Sequence, residues 1–243
     1  MHGTTLHGAA SLLPGEETLP TAYYTREGPF GRFFAALETR DVRQVGVIGL
    51  GTGILGCYAR PGQRWTFYEI DPLVERIARD QRYFQFMTRC GNQARVIIGD
   101  ARLTLAGASD GGYDVLVIDA FSSDSIPTHL LTKEALDLYF RKLTPQGILL
   151  FHLSNRHLDL EPVIAALASS AGAQARSFSY QPQTTNGSWW RNMPANVIVV
   201  TPPGNDLDFL SNEAGWVTPP VPLAAALWTD QQSDILRTIL WFF

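Results

Sequence analysis

Val45-Gly46-Val47-Ile48-Gly49-Leu50-Gly51-Thr52-Gly53 is an apolar run that ends in glycines at alternate positions. It reads as a short buried strand breaking into a tight turn whose bare backbone lets a ligand lie close. Outward from it, apolar strands alternate with amphipathic helices. Residues 44–48 form the first strand, and the glycine loop leads into a helix reaching about Tyr58. Residues 65–70 are the second strand, and Asp71-Pro72 read as the N-cap and first turn of the helix that follows. Residues 95–98 and 113–118 are the third and fourth strands, followed by Gly99-Asp100 and by Asp119. A polar loop over 119–128 precedes a helix from about 130 to 143, and Pro145-Gln146-Gly147 turns into a strand over 148–153. Residues 160–170 are helical, and 174–180 and 196–201 are the last strands.

Strands that are apolar throughout, alternating with helices, predict a mostly parallel seven-stranded sheet covered on both faces. No helix separates the last two strands, so an antiparallel edge is expected there. Residues 1–41 read as a small β-rich segment, with strands over 4–11 and at Tyr23-Tyr24 and a turn at 14–17. That segment closes in a helix over 29–37, where Phe30, Phe33, Phe34 and Leu37 recur at helical spacing. A seam near residue 42 divides it from residues 42–243, the nucleoside-binding domain.

The 243 residues are 45% hydrophobic, enough for one substantial core. A net charge of −4 argues against nucleic acid as a partner and suits a cationic substrate. Cys57 and Cys90 lie far apart without metal-ligand or disulfide-framework spacing, which predicts reduced thiols in an intracellular setting. The first 15 residues lack a signal-peptide pattern, and no apolar run has the ~20 residues that span a bilayer. The expectation is a cytoplasmic protein without membrane insertion.

In a doubly wound sheet, ligands bind beyond the carboxyl ends of the strands. Gly49, Gly51 and Gly53 stand at the first such end, Glu69 and Asp71 at the second, Asp100 at the third and Asp119 at the fourth. The glycines permit a tight turn and let a ligand lie against bare backbone, near the positive end of the following helix. Glu69 is placed for both hydroxyls of a ribose and Asp100 for an exocyclic amine such as that of adenine. Asp100 and Asp71 equally suit helix caps. A dinucleotide site would want its third glycine where Ile54 stands, which ranks that reading last. Asp119 opens the loop that also carries Asp124, and two carboxylates there can bind a cationic amine and take its proton. The five histidines have no metal-ligand spacing, Ser122 and Ser123 lack a hydrolase context, and Trp189-Trp190 stand as a pocket roof or a packed flap.

The runs VGVIGLGTG, FYEID, IIGDAR and YDVLVIDAFSSDSIPTHLL, with the HGTTLHG and YYTREGPFG segments before them, resemble spermidine synthases. The likeness is to the synthase-like half of proteins that fuse such a domain to a transporter-like region, and it extends from about Gly3 to Trp241. It implies a small β domain followed by a Rossmann-like S-adenosylmethionine methyltransferase fold, and aminopropyl transfer. Decarboxylated S-adenosylmethionine would be held by Gly49, Gly51, Thr52, Gly53, Glu69, Asp100 and Ala101, with no metal. Asp119 would assist deprotonation of a diamine such as putrescine, and Asp124 with Tyr24 or Tyr23 would hold it. The resemblance also favours a homodimer.

Thr52 departs from that family's loop, typically GGGDG, whose aspartate grips the aminopropyl ammonium. A hydroxyl supplies no charge there, so intact S-adenosylmethionine fits as well. Methyl transfer from the intact cofactor, and a nucleoside-binding module of weak activity, therefore stay open beside aminopropyl transfer.

Overall fold

The computed structural model describes residues 8–91, 93–121, 126–155, 157–183, 189–211, 213–221 and 227–240. Seven strands form one sheet: β1 (Gln44–Ile48), β2 (Arg64–Glu69), β3 (Arg95–Ile98), β4 (Tyr113–Ile118), β5 (Leu143–His152), β6 (Ala175–Tyr180) and β7 (Ala195–Val200). Their order is β3-β2-β1-β4-β5-β7-β6. All neighbouring pairs from β3 to β5 are parallel, and β7 runs antiparallel to both β5 and β6. The expected antiparallel pairing is thus present, but β7 is inserted inside the sheet and β6 is the edge. Helices α1 (Pro29–Ala36), α2 (Pro72–Arg79), α3 (Phe86–Arg89), α4 (Ala101–Ala106), α5 (Lys133–Lys142) and α6 (Glu161–Ser170) complete the frame.

Side chains alternate across a strand, and here the alternation divides the core in two. Val45, Val47, Val115, Val117, Ile148 and Leu150 face one layer with Phe30, Phe33 and Phe86. Ile48, Leu116, Ile118, Leu149 and Phe151 face the other, with Leu136 and Tyr139 of α5 and Ile164 and Leu167 of α6. Both faces of the central strands are covered, which is why these strands read as apolar throughout.

Local chemistry sets the boundaries. The Asp71 side chain accepts from the Leu73 amide and caps α2, with Pro72 at its first position. The Thr132 hydroxyl accepts from the Ala135 amide and starts α5. The buried Lys142 ammonium at the end of α5 donates to the carbonyls of Ala106 and Ala108, tying α4 to α5, and to Asp110.

Four sequence expectations need correction. Residues 8–41 contain no strand among the described residues: Ala22–Tyr24 is a 3-10 turn, and α1 buries Phe30 and Phe33 in the same core as the sheet. Extended backbone near Thr21 finds no strand partner, so β propensity there stays unpaired. Residues 1–7 lie outside the described residues. The segment after the glycine loop is a 3-10 turn, Ile54–Tyr58, too short to act as a helix dipole. Next, β5 begins at Leu143 and carries Pro145-Gln146-Gly147 as an irregularity, its register on β4 shifting between Tyr113 and Val115. Last, Cys57 and Cys90 are joined by a disulfide, with their Cα atoms 4.7 Å apart. The bond ties the turn after the glycine loop to the end of α3, and the expectation of a reduced, intracellular setting loses its premise. Among the described residues no helix is long and apolar enough to cross a membrane.

Candidate active site

The carboxyl ends of β1, β2, β4 and β5 open into one cavity of about 840 Å³. Its wall includes Gly49, Gly51, Thr52, Glu69, Asp100, Ala101 and Asp119, together with Tyr23 and Tyr24 from the N-terminal segment. The expected strand-end residues are therefore brought together, with three exceptions, the first being Asp71, which caps α2 and is not in the wall. Gly53 is not in the wall and packs on the Met87 side chain of α3. Asp124 lies outside the described residues.

The glycine loop and Asp119 touch directly. Ile48 accepts from the Asp119 amide at 2.8 Å. At Gly49, with φ of 100°, an added Cβ would overlap the Asp119 carbonyl, so glycine is required twice over. Glu69 is 8% exposed and braces the loop: Oε2 accepts from the Leu50 amide at 3.0 Å and Oε1 from the Asp71 amide at 3.0 Å. A carboxylate has further lone pairs for a ligand's hydroxyls, so bracing and binding are compatible. Asp100 caps α4 through Oδ1, which accepts from the Arg102 and Leu103 amides, while Oδ2 stands 3.6 Å from His129 Nε2. The Thr52 hydroxyl is buried, without a hydrogen-bond partner among the described residues, and sits beneath Gly8. Ala101 continues the wall beside Asp100.

Asp119 is the centre of a hydrogen-bonded chain. Tyr24 donates its hydroxyl to Oδ2 at 2.9 Å, and His152 Nδ1 meets Oδ1 at 2.6 Å. The side chains of Asp119 and His152 are only 7% and 2% exposed. Burial, with the Asp119 charge beside it, pushes the Tyr24 phenol well above its ordinary range, so it stays a proton donor. Beyond the imidazole, His152 Nε2 meets Ser154 Oγ at 2.8 Å, and Ser154 Oγ accepts from the Asn196 amide at 2.8 Å. Rings of Tyr23, Tyr24, Phe30 and Phe121 surround the imidazole, with centroids 4.8–5.8 Å away. A carboxylate in a cavity that Tyr23, Tyr24 and Phe121 also line is an environment for a cation.

His152 and Ser154 were missed by sequence reasoning, which weighed histidines only for metal spacing. The usable signal was their place at the end of β5, next to the strand that ends in Asp119. Among the described residues no cluster suited to a metal ion exists. Trp190 lies under the Arg191 guanidinium, 5.0 Å away, and is not in the cavity wall; Met193 and Pro194 are. Arg191 also donates to Glu16, holding the N-terminal segment over this side.

No protein-family model matches the chain. Over 108 residues the chain is 38% identical to a polyamine aminopropyltransferase of Vibrio vulnificus, a match covering 42% of this chain and 35% of that protein. The match thus spans about a third of the curated relative's length. A probable spermidine synthase from Corynebacterium glutamicum superposes with a TM-score of 0.60 at 19% identity, over 80% of this chain and 68% of the other. A spermidine synthase in complex with the transition-state analogue AdoDATO gives 0.51 at 16% identity, over 72% and 58%. A precorrin-6y C5,15-methyltransferase from Geobacter metallireducens gives 0.55 at 17% identity, over 80% and 92%. The sheet is thus that of the Rossmann-like methyltransferase fold, and in sequence and fold the chain is similar to the spermidine synthase, or polyamine aminopropyltransferase, family.

Proposed function

We propose that the chain is an aminopropyltransferase that uses decarboxylated S-adenosylmethionine and a small cationic amine such as putrescine. The observation that carries this is Asp119: its backbone packs on the glycine loop, and its nearly buried carboxylate lines the cavity shared with Tyr23, Tyr24, Phe121, Glu69 and Asp100. In this reading Gly49 and Gly51 support the nucleoside, Glu69 takes the ribose hydroxyls, and Asp100 with Ala101 takes the adenine. Asp119, Tyr23 and Tyr24 hold the amine beside the sulfonium, and Asp119 assists loss of its proton. The amine lone pair then forms a bond to the methylene carbon next to sulfur. The carbon–sulfur bond breaks, its electron pair neutralises the sulfonium, and methylthioadenosine leaves. The AdoDATO complex of a neighbour of the same fold supports a nucleoside of this type.

The reading is tested by incubating the protein with putrescine and each form of the cofactor in turn and identifying the products. Spermidine with methylthioadenosine from the decarboxylated form is the expected result. Methylated amine from the intact form alone would replace the proposal with methyl transfer, the second reading that the neutral Thr52 keeps in play.

Thr52 supplies a further expectation. Aspartate is close to threonine in size, and a charged partner for an ammonium is worth roughly 1 kcal/mol more than a neutral one. Thr52→Asp should therefore raise kcat/KM for the decarboxylated cofactor about fivefold relative to the intact one, measured by paired steady-state assays. An unchanged ratio would mean that another carboxylate already meets the aminopropyl ammonium.

A further inference from the structure

Where the amine's proton goes is decided by the pattern of donors around His152. The Asn196 amide donates to Ser154 Oγ, which leaves the serine's own proton free to point at His152 Nε2. On the other side Asp119, as a carboxylate, can only accept, so Nδ1 carries the ring proton. In the neutral ring the proton sits on Nδ1, toward Asp119, and Nε2 accepts from Ser154. The ring has room for one more proton, at the nitrogen that faces Ser154. Ser154 and His152 both line the cavity; Ser154 is half-buried, while the His152 side chain is only 2% exposed among aromatic rings. The titratable groups facing the ring are Asp119 after β4, and Tyr24 and Tyr23 of the N-terminal turn. Phe30, Phe121 and Ser154 complete its surroundings.

We infer that Ser154, His152 and Asp119 form a proton relay in which the acceptor's proton comes to rest on His152 Nε2. The inference builds on the proposed amine chemistry and names the proton's destination. The acceptor enters as an ammonium and gives one proton to Ser154 Oγ, whose own proton passes to His152 Nε2. The neutral amine then attacks, and its nitrogen is positive again as a secondary ammonium in the product. His152, now an imidazolium against the Asp119 carboxylate, returns its proton to solvent once the product has left. Asp119 thereby stabilises the charge that the ring acquires, while Ser154 takes the proton from the amine that Asp119, Tyr23 and Tyr24 hold.

The test uses His152→Gln and Ser154→Ala in the full chain. Glutamine can donate to Asp119 and accept from Ser154, so it keeps the packing and hydrogen bonds but takes up no proton. Each variant should lower kcat about 100-fold, within the usual range for acid–base catalysis, with the amine KM nearly unchanged. His152→Gln should also change the dependence of kcat on pH, because glutamine takes up no proton. Since both residues serve one path, the double variant should be no slower than either single one. Losses that multiply, or a His152→Gln enzyme with the original kcat and pH profile, would overturn the relay. A second readout needs no turnover: nitrogen NMR of histidine-labelled wild-type protein should place the His152 proton on Nδ1 at high pH and add one at Nε2 on acidification. A ring protonated at Nε2 alone at high pH, or one that takes up no proton, would overturn it too. That measurement decides the relay even if no aminopropyl transfer is found.

Discussion

Asp119→Asn should reduce turnover by about a thousandfold while leaving the affinity for methylthioadenosine within a factor of two. The rate loss corresponds to ~4 kcal/mol of transition-state stabilisation and sits inside the range for removing a group from acid–base catalysis. The effect is large because Asp119 meets two partners at once. Tyr24 can still donate to the amide oxygen, so the fold is kept. The amide nitrogen, however, would face His152 Nδ1 where a carboxylate oxygen now accepts. The ring must then carry its proton on Nε2 and point it at Ser154, which reverses the direction in which the relay can run. Loss of the negative charge also removes the attraction for a cationic acceptor in the cavity that Tyr23, Tyr24 and Phe121 line. The check pairs single-turnover rates with calorimetric titration of the nucleoside. An unchanged rate would remove Asp119 from the chemistry; a lost nucleoside affinity would make it a binding residue instead.

Gly49→Ala should damage both the stability of the fold and the site. The backbone there has φ of 100°, which costs a residue with a Cβ about 1–2 kcal/mol. The added methyl would also overlap the Asp119 carbonyl, so β1 and β4 would have to part at the ends that form the site. Gly62→Ala separates the two effects, because Gly62 has φ of 84° but nothing within 4 Å of an added Cβ. Gly62→Ala is expected to lower Tm by about 2–6 °C and to leave the site alone. Gly49→Ala is expected to lower Tm by more than ~10 °C and nucleoside affinity at least about 100-fold. Equal behaviour of the two variants would mean that the contact between the glycine loop and Asp119 does not shape the cavity.

What was legible in the sequence follows from how local its physical cause is. The apolar strands 44–48 and 113–118 are buried on both faces, and that burial is written in their composition. The Asp71-Pro72 pair carries its own cap, so α2 starts where the pair predicts. Glu69, Asp100 and Asp119 were found because a parallel sheet gathers strand ends at one edge. The rest depends on contacts between distant residues. Cys57 and Cys90 are 33 residues apart in the chain and meet only because α3 packs against the glycine loop. The N-terminal segment has β-prone residues but forms no strand among the described residues, and its tyrosines enter the site on a 3-10 turn. Glu69 serves as a brace for the Leu50 amide as well as a wall residue, a double role that no spacing reveals. His152 is silent as a motif and acquires its meaning from the Asp119 carboxylate beside it.

The account's central claim is that the glycine loop, Glu69, Asp100 and Asp119 form one nucleoside site with the reacting group facing Asp119. A crystal structure with methylthioadenosine bound tests it most directly. The predicted result has the ribose hydroxyls on Glu69, the adenine amine at Asp100, and the thioether sulfur turned toward the space between Asp119 and Ser154. A nucleoside bound elsewhere, or one whose sulfur points away from Asp119, would contradict it.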